Sequence, residues 1–354
     1  MKIGIVRRGF SATGGAEAYL SRLAGGLAKA GHTPTLITSE YWPASHWPFG
    51  DTLRLKGATP TAFAGAFCGV REDFDVTFSL ERVPGCDIYR AGDGVHAAWL
   101  RRRAAVEPRW RSFLHRWNPK HATMMALERQ LFSDVRQIVA NSQMVAREIE
   151  EFYDFPPERL TVIPNGLAAP LPSLSRSEAR ARLGIEEKTF CILFAGTGWE
   201  RKGLRAATAA VASLDNALLL VAGRGKSSQY AAPHTRFLGP VANLPEIFSA
   251  ADAFVLPTIY DPFSNACLEA LAAGLPVVTT TANGFSEIIT EGVHGQAVEP
   301  DNAAAVASAL ETWRTAPREE VSAACRKLAA EYSLERNVNS TIAVAQKVID
   351  EKKG

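Results

Sequence analysis

"KIGIVRRGFSATGGAEAYLSRLAGGLAKAGHTPTLIT", residues 2–38, decides the fold class. KIGIV is an apolar run of strand length, and RRGFSATGG after it is a glycine-containing loop. AEAYLSRLAGGLAKAG then repeats its apolar positions with a helical period and stops at Gly31, and TPTLIT is a second strand. A strand, a helix and another strand in this span make a β-α-β unit. Its two strands run parallel, because the helix carries the chain back to the starting edge.

The same alternation continues. VTFSL (76–80), DIYRA (87–91), QIVANS (137–142) and LTVIP (160–164) read as further strands, and the segment between Trp99 and Phe132 reads as helical. NGLAAPLPSLS (165–175), with two prolines, a glycine and two serines, suits an extended linker. Ser175 and Glu178 then have capping-box spacing, and Gly184 closes a short helix. A second series follows with FCILFAG (190–196), ALLLVAG (217–223), TRFLG (235–239), AFVLP (253–257) and PVVTT (276–280). Strands alternating with helices imply parallel sheets covered on both faces. The expectation is an α/β chain of two doubly wound, Rossmann-like domains, residues 1–168 and 169–333, facing each other across a cleft. The final helical stretch, 334–350, is free to pack on either domain, a return over about 334–354 onto the first being one of the two arrangements left open.

With 354 residues the chain exceeds the size at which one core stops growing. Hydrophobic residues at 47% and charged residues at 21% are ordinary for a globular protein, and a net charge of +2 does not by itself point to nucleic acid. Neither a signal-peptide core nor an apolar stretch of membrane-spanning length is present, which leads to the expectation of a cytoplasmic location. Five cysteines without a C-x-x-C spacing suggest buried, reduced thiols rather than disulfides or zinc.

In open parallel sheets ligands bind beyond the carboxyl ends of strands, so four loops matter. In FSATGGAE (10–17), Gly14 and Gly15 let backbone N–H groups approach a ligand where a helix begins; an ordinary tight turn is the alternative. It is not G-x-G-x-x-G, which disfavours a dinucleotide. AGTGWERKG (195–203) sets Arg201 and Lys202 at the opening of a helix, where they either neutralise a diphosphate or are merely solvated. YDPFSNACLEALAAGLPVVTT (260–280) places a helix start near Ser264, with N–H groups of Phe263, Ser264 and Asn265 aimed at an anion. Asp261 stands before that helix and Glu269 in its second turn. An anion site flanked by two hydroxyl acceptors is what a nucleotide-sugar requires. The fourth loop, RAGDGVH (90–96), offers Asp93, a turn residue on the alternative reading, and His96.

An acid eight residues before Glu269 and its ALAAGLPVV helix end, together with GGAE, IPNG, GTGWERKG and ADAFVLP, resembles the retaining GT-B glycosyltransferases of family 4 over nearly the whole chain. DIYRAGDG and the basic segment behind it are most similar, within that family, to the lipopolysaccharide-core glucosyltransferases. The family usually has glutamate where this chain has Asp261, one methylene shorter. The resemblance implies that Glu269 accepts from ribose hydroxyls and Asp261 from donor-sugar hydroxyls. Arg201 and Lys202 would hold the diphosphate, while Gly14, Gly15 and Glu17 close on the donor from the other domain. Asp93, or else His96, would stand near the anomeric carbon and the acceptor. With two cations and a helix N-terminus on the leaving phosphate, no metal is expected; the one D-x-D, Asp73 to Asp75, leads into a strand.

WLRRRAAVEPRWRSFLHRWNPKH (99–121) carries Trp99, Arg101, Arg102, Arg103, Arg109, Trp110, Arg111, Arg116 and Trp117 against a single acid, Glu107. This composition suits an anionic membrane surface or a phosphorylated glycolipid, and a helical pair with core tryptophans is the alternative. The leading expectation is therefore a metal-independent hexosyltransferase at the inner face of the cytoplasmic membrane. It would take a nucleotide-sugar, of the UDP type, and a membrane-bound saccharide or lipid, and no nucleic acid. A sugar-nucleotide epimerase or hydrolase, or a non-catalytic binder, are the rivals.

Overall fold

A computed structural model describes residues 1–10, 15–39, 43, 46–57, 59–108, 118–167, 174–241 and 243–354. Two compact units emerge: Met1–Ala168 with Leu334–Gly354, and Ala169–Ser333. In the first unit the strands are β1 (Lys2–Val6), β2 (Thr33–Ser39), β3 (Thr52–Leu55), β4 (Val76–Ser79), β5 (Ile88–Arg90), β6 (Gln137–Ala140) and β7 (Leu160–Val162). Its helices are α1 (Gly15–Lys29), α2 (Pro60–Cys68), α3 (His96–Val106), α4 (Pro119–Asp134) and α5 (Gln143–Tyr153). The second unit contains β8 (Phe190–Ala195), β9 (Ala217–Ala222), β10 (Thr235–Gly239), β11 (Ala253–Val255), β12 (Val277–Thr280) and β13 (Gly295–Val298). Helices α6 (Arg176–Leu183), α7 (Leu204–Ala212), α8 (Leu244–Ala250), α9 (Asn265–Ala273), α10 (Ala303–Arg314) and α11 (Arg318–Ala330) accompany them. A last helix, α12 (Leu334–Lys353), belongs to the first unit.

Both sheets are parallel throughout, ordered β3-β2-β1-β4-β5-β6-β7 and β10-β9-β8-β11-β12-β13. Every residue of β8 is buried, as a strand covered on both faces requires. The order reverses between β1 and β4 in one unit and between β8 and β11 in the other. A crevice opens where the order reverses, because the connections on either side leave for opposite faces of the sheet.

In the first unit Leu20, Leu23 and Leu27 of α1 meet Ile3 and Ile5 of β1, and Val338, Val344, Val348 and Ile349 of α12 close the same core. Tyr19 Oη donates to Asn337 Oδ1 (3.2 Å), and Asn337 Nδ2 donates to the Pro164 carbonyl (2.7 Å). Three readings need correction. Among the described residues the helical segment from Trp99 to Phe132 is interrupted: α3 ends at Val106, and α4 starts at Pro119. The start of the expected linker is fixed structure: Asn165 is buried, and Leu167 accepts from the Leu334 N–H at 2.7 Å. Cys86, Cys191, Cys267 and Cys325 are buried, but Cys68 is exposed.

Candidate functional site

The crevice of the second unit lies between the exits of β8 and β11. From β8 the chain runs through Gly196 and Gly198, both at positive φ, to Arg201 and Lys202, and Gly203, left-handed at φ 75°, caps the start of α7. Gly203 is needed for space as well as conformation, since a Cβ there would run into the Pro257 carbonyl oxygen behind β11. The two exits are laced together. Ile259 N–H and Thr258 Oγ1 both donate to the Arg201 carbonyl (2.9 and 2.8 Å), and Arg201 Nη1 donates to the Tyr260 carbonyl (2.7 Å).

At this seam Lys202 Nζ donates to Asp261 Oδ2 at 2.7 Å, with Arg201 Nη1 3.7 Å from the same oxygen. Asp261 is buried, and burial works against its charge. Lys202 and Arg201, helped by hydrogen bonds from Lys202 Nζ and the Phe263 N–H, outweigh burial and hold the carboxyl below its ordinary value. Two expectations change here. The Asp261 carboxylate is taken up by the cations that it positions, and the Phe263 N–H is spent on that carboxylate rather than aimed at a ligand anion.

Helix α9 starts as its sequence implies. Ser264 is the N-cap, with Oγ accepting from Cys267 N–H, and Gly274 closes the helix at φ 89°. Asn265, its first residue, and Glu269, in its second turn, are both half-buried. Asn283 stands beneath, donating to Thr279 Oγ1 (2.9 Å). The second unit therefore brings together Arg201, Lys202, Asp261, Ser264 and the start of α9 at one switch point. Such an arrangement can hold a diphosphate: it has two cations and the positive end of a helix dipole.

The candidates of the first unit fare differently. Gly14 lies outside the described residues, and Gly15 opens α1. Glu17 is buried, and its carboxylate accepts from Arg7 Nη2 at 2.9 Å, so its role is to hold the loop behind β1 rather than to face a ligand. Arg7 also reaches Glu81 (3.3 Å) at the exit of β4. Asp93 is exposed in the turn between β5 and α3, beside left-handed Gly94 (φ 69°). His96 is the first residue of α3, and its Nε2 lies 3.0 Å from His121 Nδ1. Burial pushes the His96 imidazole below its ordinary value; Glu128 opposes this, and Arg82 and His121 add to it. Asp75 of the D-x-D accepts from the Lys2 N–H at 2.7 Å.

A buried network behind this turn went unseen in the sequence. Glu128 of α4 is fully buried; Oε1 accepts from Arg82 Nε (2.7 Å) and from the His96 backbone N–H (2.8 Å), and Oε2 accepts from Tyr153 Oη (2.6 Å). Arg82 Nη2 in turn donates to the Gly94 carbonyl (3.0 Å). No spacing rule could have found these residues, because they come from three separated elements.

The basic segment is also corrected. Its one acid in sequence, Glu107, is joined by two from α5: Arg101 pairs with Glu151, Arg102 with Glu148 (2.9 Å) and Arg103 with Glu107 (2.6 Å). Arg103 further lies 5.7 Å from the ring of half-buried Trp99. These three charges are locally neutralised. Arg109, Trp110, Arg111, Arg116 and Trp117 lie outside the described residues. Among the described residues no helix is long and apolar enough to cross a membrane.

Two parallel doubly wound sheets with a cationic switch-point site define the class, a GT-B fold. Residues 13–169 match the family model described as Glycosyltransferase Family 4, and residues 189–315 match that of Glycosyl transferases group 1. This chain belongs to the family 4 glycosyltransferases. The D-inositol 3-phosphate glycosyltransferase of Geodermatophilus obscurus is 32% identical over 241 residues, which are 61% of this chain and 53% of that protein. Lipopolysaccharide glucosyltransferase WaaG of Escherichia coli (strain K12) is 27% identical over 246 residues, 63% of each. The chain thus spans 53% and 63% of the length of these two curated relatives. Among solved structures, the crystal structure of WaaG, a glycosyltransferase involved in lipopolysaccharide biosynthesis, aligns with a TM-score of 0.79 at 22% identity over 98% of both chains. Anabaena Alr3699/HepE in complex with UDP and glucose aligns at 0.74 and 17%, over 97% of this chain and 99% of that one.

Proposed function

We propose that this chain is a hexosyltransferase. It takes the sugar from a uridine diphosphate sugar and delivers it, with retention at the anomeric carbon and without a metal ion, to a membrane-associated saccharide or lipid of the lipopolysaccharide-core type. The observation that carries this reading is the pair Arg201 and Lys202, set by Asp261 beside the N-terminus of α9 at a switch point. As the glycosidic bond to the donor phosphate breaks, negative charge grows on the β-phosphate and the sugar becomes oxocarbenium-like. Fixed donors aimed at such growing charge contribute about 2.7–4 kcal/mol each. Lys202 and Arg201 supply that stabilisation, and Asp261 keeps them in place before the donor arrives. Glu269 accepts from the ribose hydroxyls, and Asp93, exposed at its turn, meets the acceptor.

The UDP donor is supported by the fold neighbour holding UDP and glucose. Retention and the acceptor class rest on likeness to family 4 and to WaaG. Contact with an anionic membrane is part of the same reading, resting on segment 99–121. The decisive assay mixes UDP-sugars with a lipopolysaccharide-core oligosaccharide in excess EDTA and follows the anomeric configuration of the product. An α-linked product from an α-linked donor is expected. Rapid free sugar or epimer from donor alone would overturn the transferase reading. Loss of activity in EDTA with rescue by Mg²⁺ or Mn²⁺ would overturn the metal-free mechanism.

A further inference from the structure

The Asp93–His96 turn is tethered by groups that no reading of the donor site requires. Helix α3 begins at His96 behind Val95, an N-cap residue whose side chain offers no acceptor. Glu128, projecting from α4, accepts the His96 N–H in its place at 2.8 Å. Arg82, from the loop behind β4, spans Glu128 and the Gly94 carbonyl. Tyr153 of α5 closes the far side of the carboxylate, its ring packed 4.5 Å from that of Phe132. Burial, then the Glu128 charge, keeps the Tyr153 hydroxyl protonated, so that it serves only as a donor here. An ion pair so buried adds little stability over apolar packing, whereas it is strongly directional. All its directions converge on the backbone atoms that flank Asp93.

We propose that Arg82, Glu128 and Tyr153 are positioning residues for the acceptor half of the reaction, fixing the turn that presents Asp93 and the imidazole of His96. This rests on the reading of that turn given above. None of the three touches a substrate; they act through the Gly94 carbonyl and the first turn of α3. Loosening them leaves the donor site of the other unit untouched and spoils the geometry at the acceptor. Misplacement of a reacting group by about 1 Å can cost up to about 100-fold in rate.

The test uses Glu128→Gln and, because that variant leaves Arg82 buried beside a neutral amide, the milder Tyr153→Phe. Three readouts are compared with wild type: hydrogen exchange of the His96 to Trp99 amides, the NMR titration of His96, and steady-state kinetics with UDP-glucose and a lipopolysaccharide-core oligosaccharide. Expected are faster exchange, a displaced His96 titration and a kcat lowered about tenfold or more, with the KM for UDP-glucose unchanged. Asp93→Asn and His96→Ala run alongside. If those two lose turnover while folded Tyr153→Phe and Glu128→Gln keep both kcat and amide protection, positioning is overturned and the acceptor reading stands. If Asp93→Asn and His96→Ala turn over normally, the acceptor reading falls, and positioning with it. Should Glu128→Gln fail to fold, Tyr153→Phe decides alone.

Discussion

Asp261 does at residue scale what a sugar-facing carboxylate could not do alone: it keeps two cations in register behind a helix N-terminus. Asp261→Asn leaves Lys202 without its acid, and breaking such a buried pair costs up to about 3–5 kcal/mol. Because the folded carboxyl titrates below its ordinary value of 3.8, its stabilisation is complete above that value and is lost as pH falls through it toward the folded pKa. The stability gap between wild type and Asp261→Asn, measured by denaturant unfolding, should therefore shrink below about pH 4; a gap constant from pH 3 to 7 would sink the linkage. Donor kinetics test the partner residue. Lys202→Ala should lower kcat more than it weakens binding of the UDP-sugar donor, since the charge on the leaving phosphate grows between the bound donor and the transition state. Arg201 and Lys202 are legible in the sequence because they sit at a strand exit marked by Gly196, Gly198 and Gly203; the place of Asp261 just ahead of the Ser264 cap is legible too, but its pairing with Lys202 is not. Glu128 and Arg82 are not, because a buried ion pair between distant elements leaves no local pattern. Glu17 was misread for the same reason: its partner, Arg7, is the product of folding, not of spacing.

The elements most legible in the sequence were those buried on both faces, which read as unbroken apolar runs such as FCILFA. The two strands missed, TLRL (β3) and GQAV (β13), are both sheet edges, where one side is unpaired and Arg54 or Gln296 is tolerated. The break between α3 and α4 was missed because the arginines of the segment favour helix, while Asn118 and Pro119 cap a new one. The pairing of α3 with α5 makes a prediction at this scale. Arg102→Ala strips a guanidinium from Glu148, which is 3% exposed, and should destabilise the protein by about 1–3 kcal/mol in thermal or chemical unfolding. The membrane contact proposed above is then assigned to other charges. Protein should bind anionic vesicles at low salt and release them as salt rises, with Arg109, Arg111 and Arg116 reversed as a set abolishing binding. If Arg101 and Arg102 reversal alone abolishes it in a folded variant, the neutralised face is the wrong assignment.

At the scale of the whole molecule the notable feature is that the first unit is discontinuous in sequence. Helix α12 buries Val338, Val344, Val348 and Ile349 against α1 and the first sheet, each contributing about 1.5–3 kcal/mol. Their sum is comparable to the whole stability of an ordinary domain, about 5–15 kcal/mol. A chain ending at Ser333 should therefore keep the second unit folded while the first becomes sensitive to protease; equal protease resistance of both units would contradict this account. The alternating pattern in the sequence was enough to place two sheets, but a helix with one apolar face is equally at home on either, so packing alone assigns α12. Its late position has a further consequence in the cell. A ribosome delivers residues 1–168 first and must then make the entire second unit before residues 334–353 emerge. At about 5–20 residues per second, that interval lasts on the order of ten to thirty seconds. Throughout it Leu23, Leu27 and their neighbours have no lid, so the nascent chain carries an open greasy seam that a chaperone must shield or a neighbouring polysome can capture.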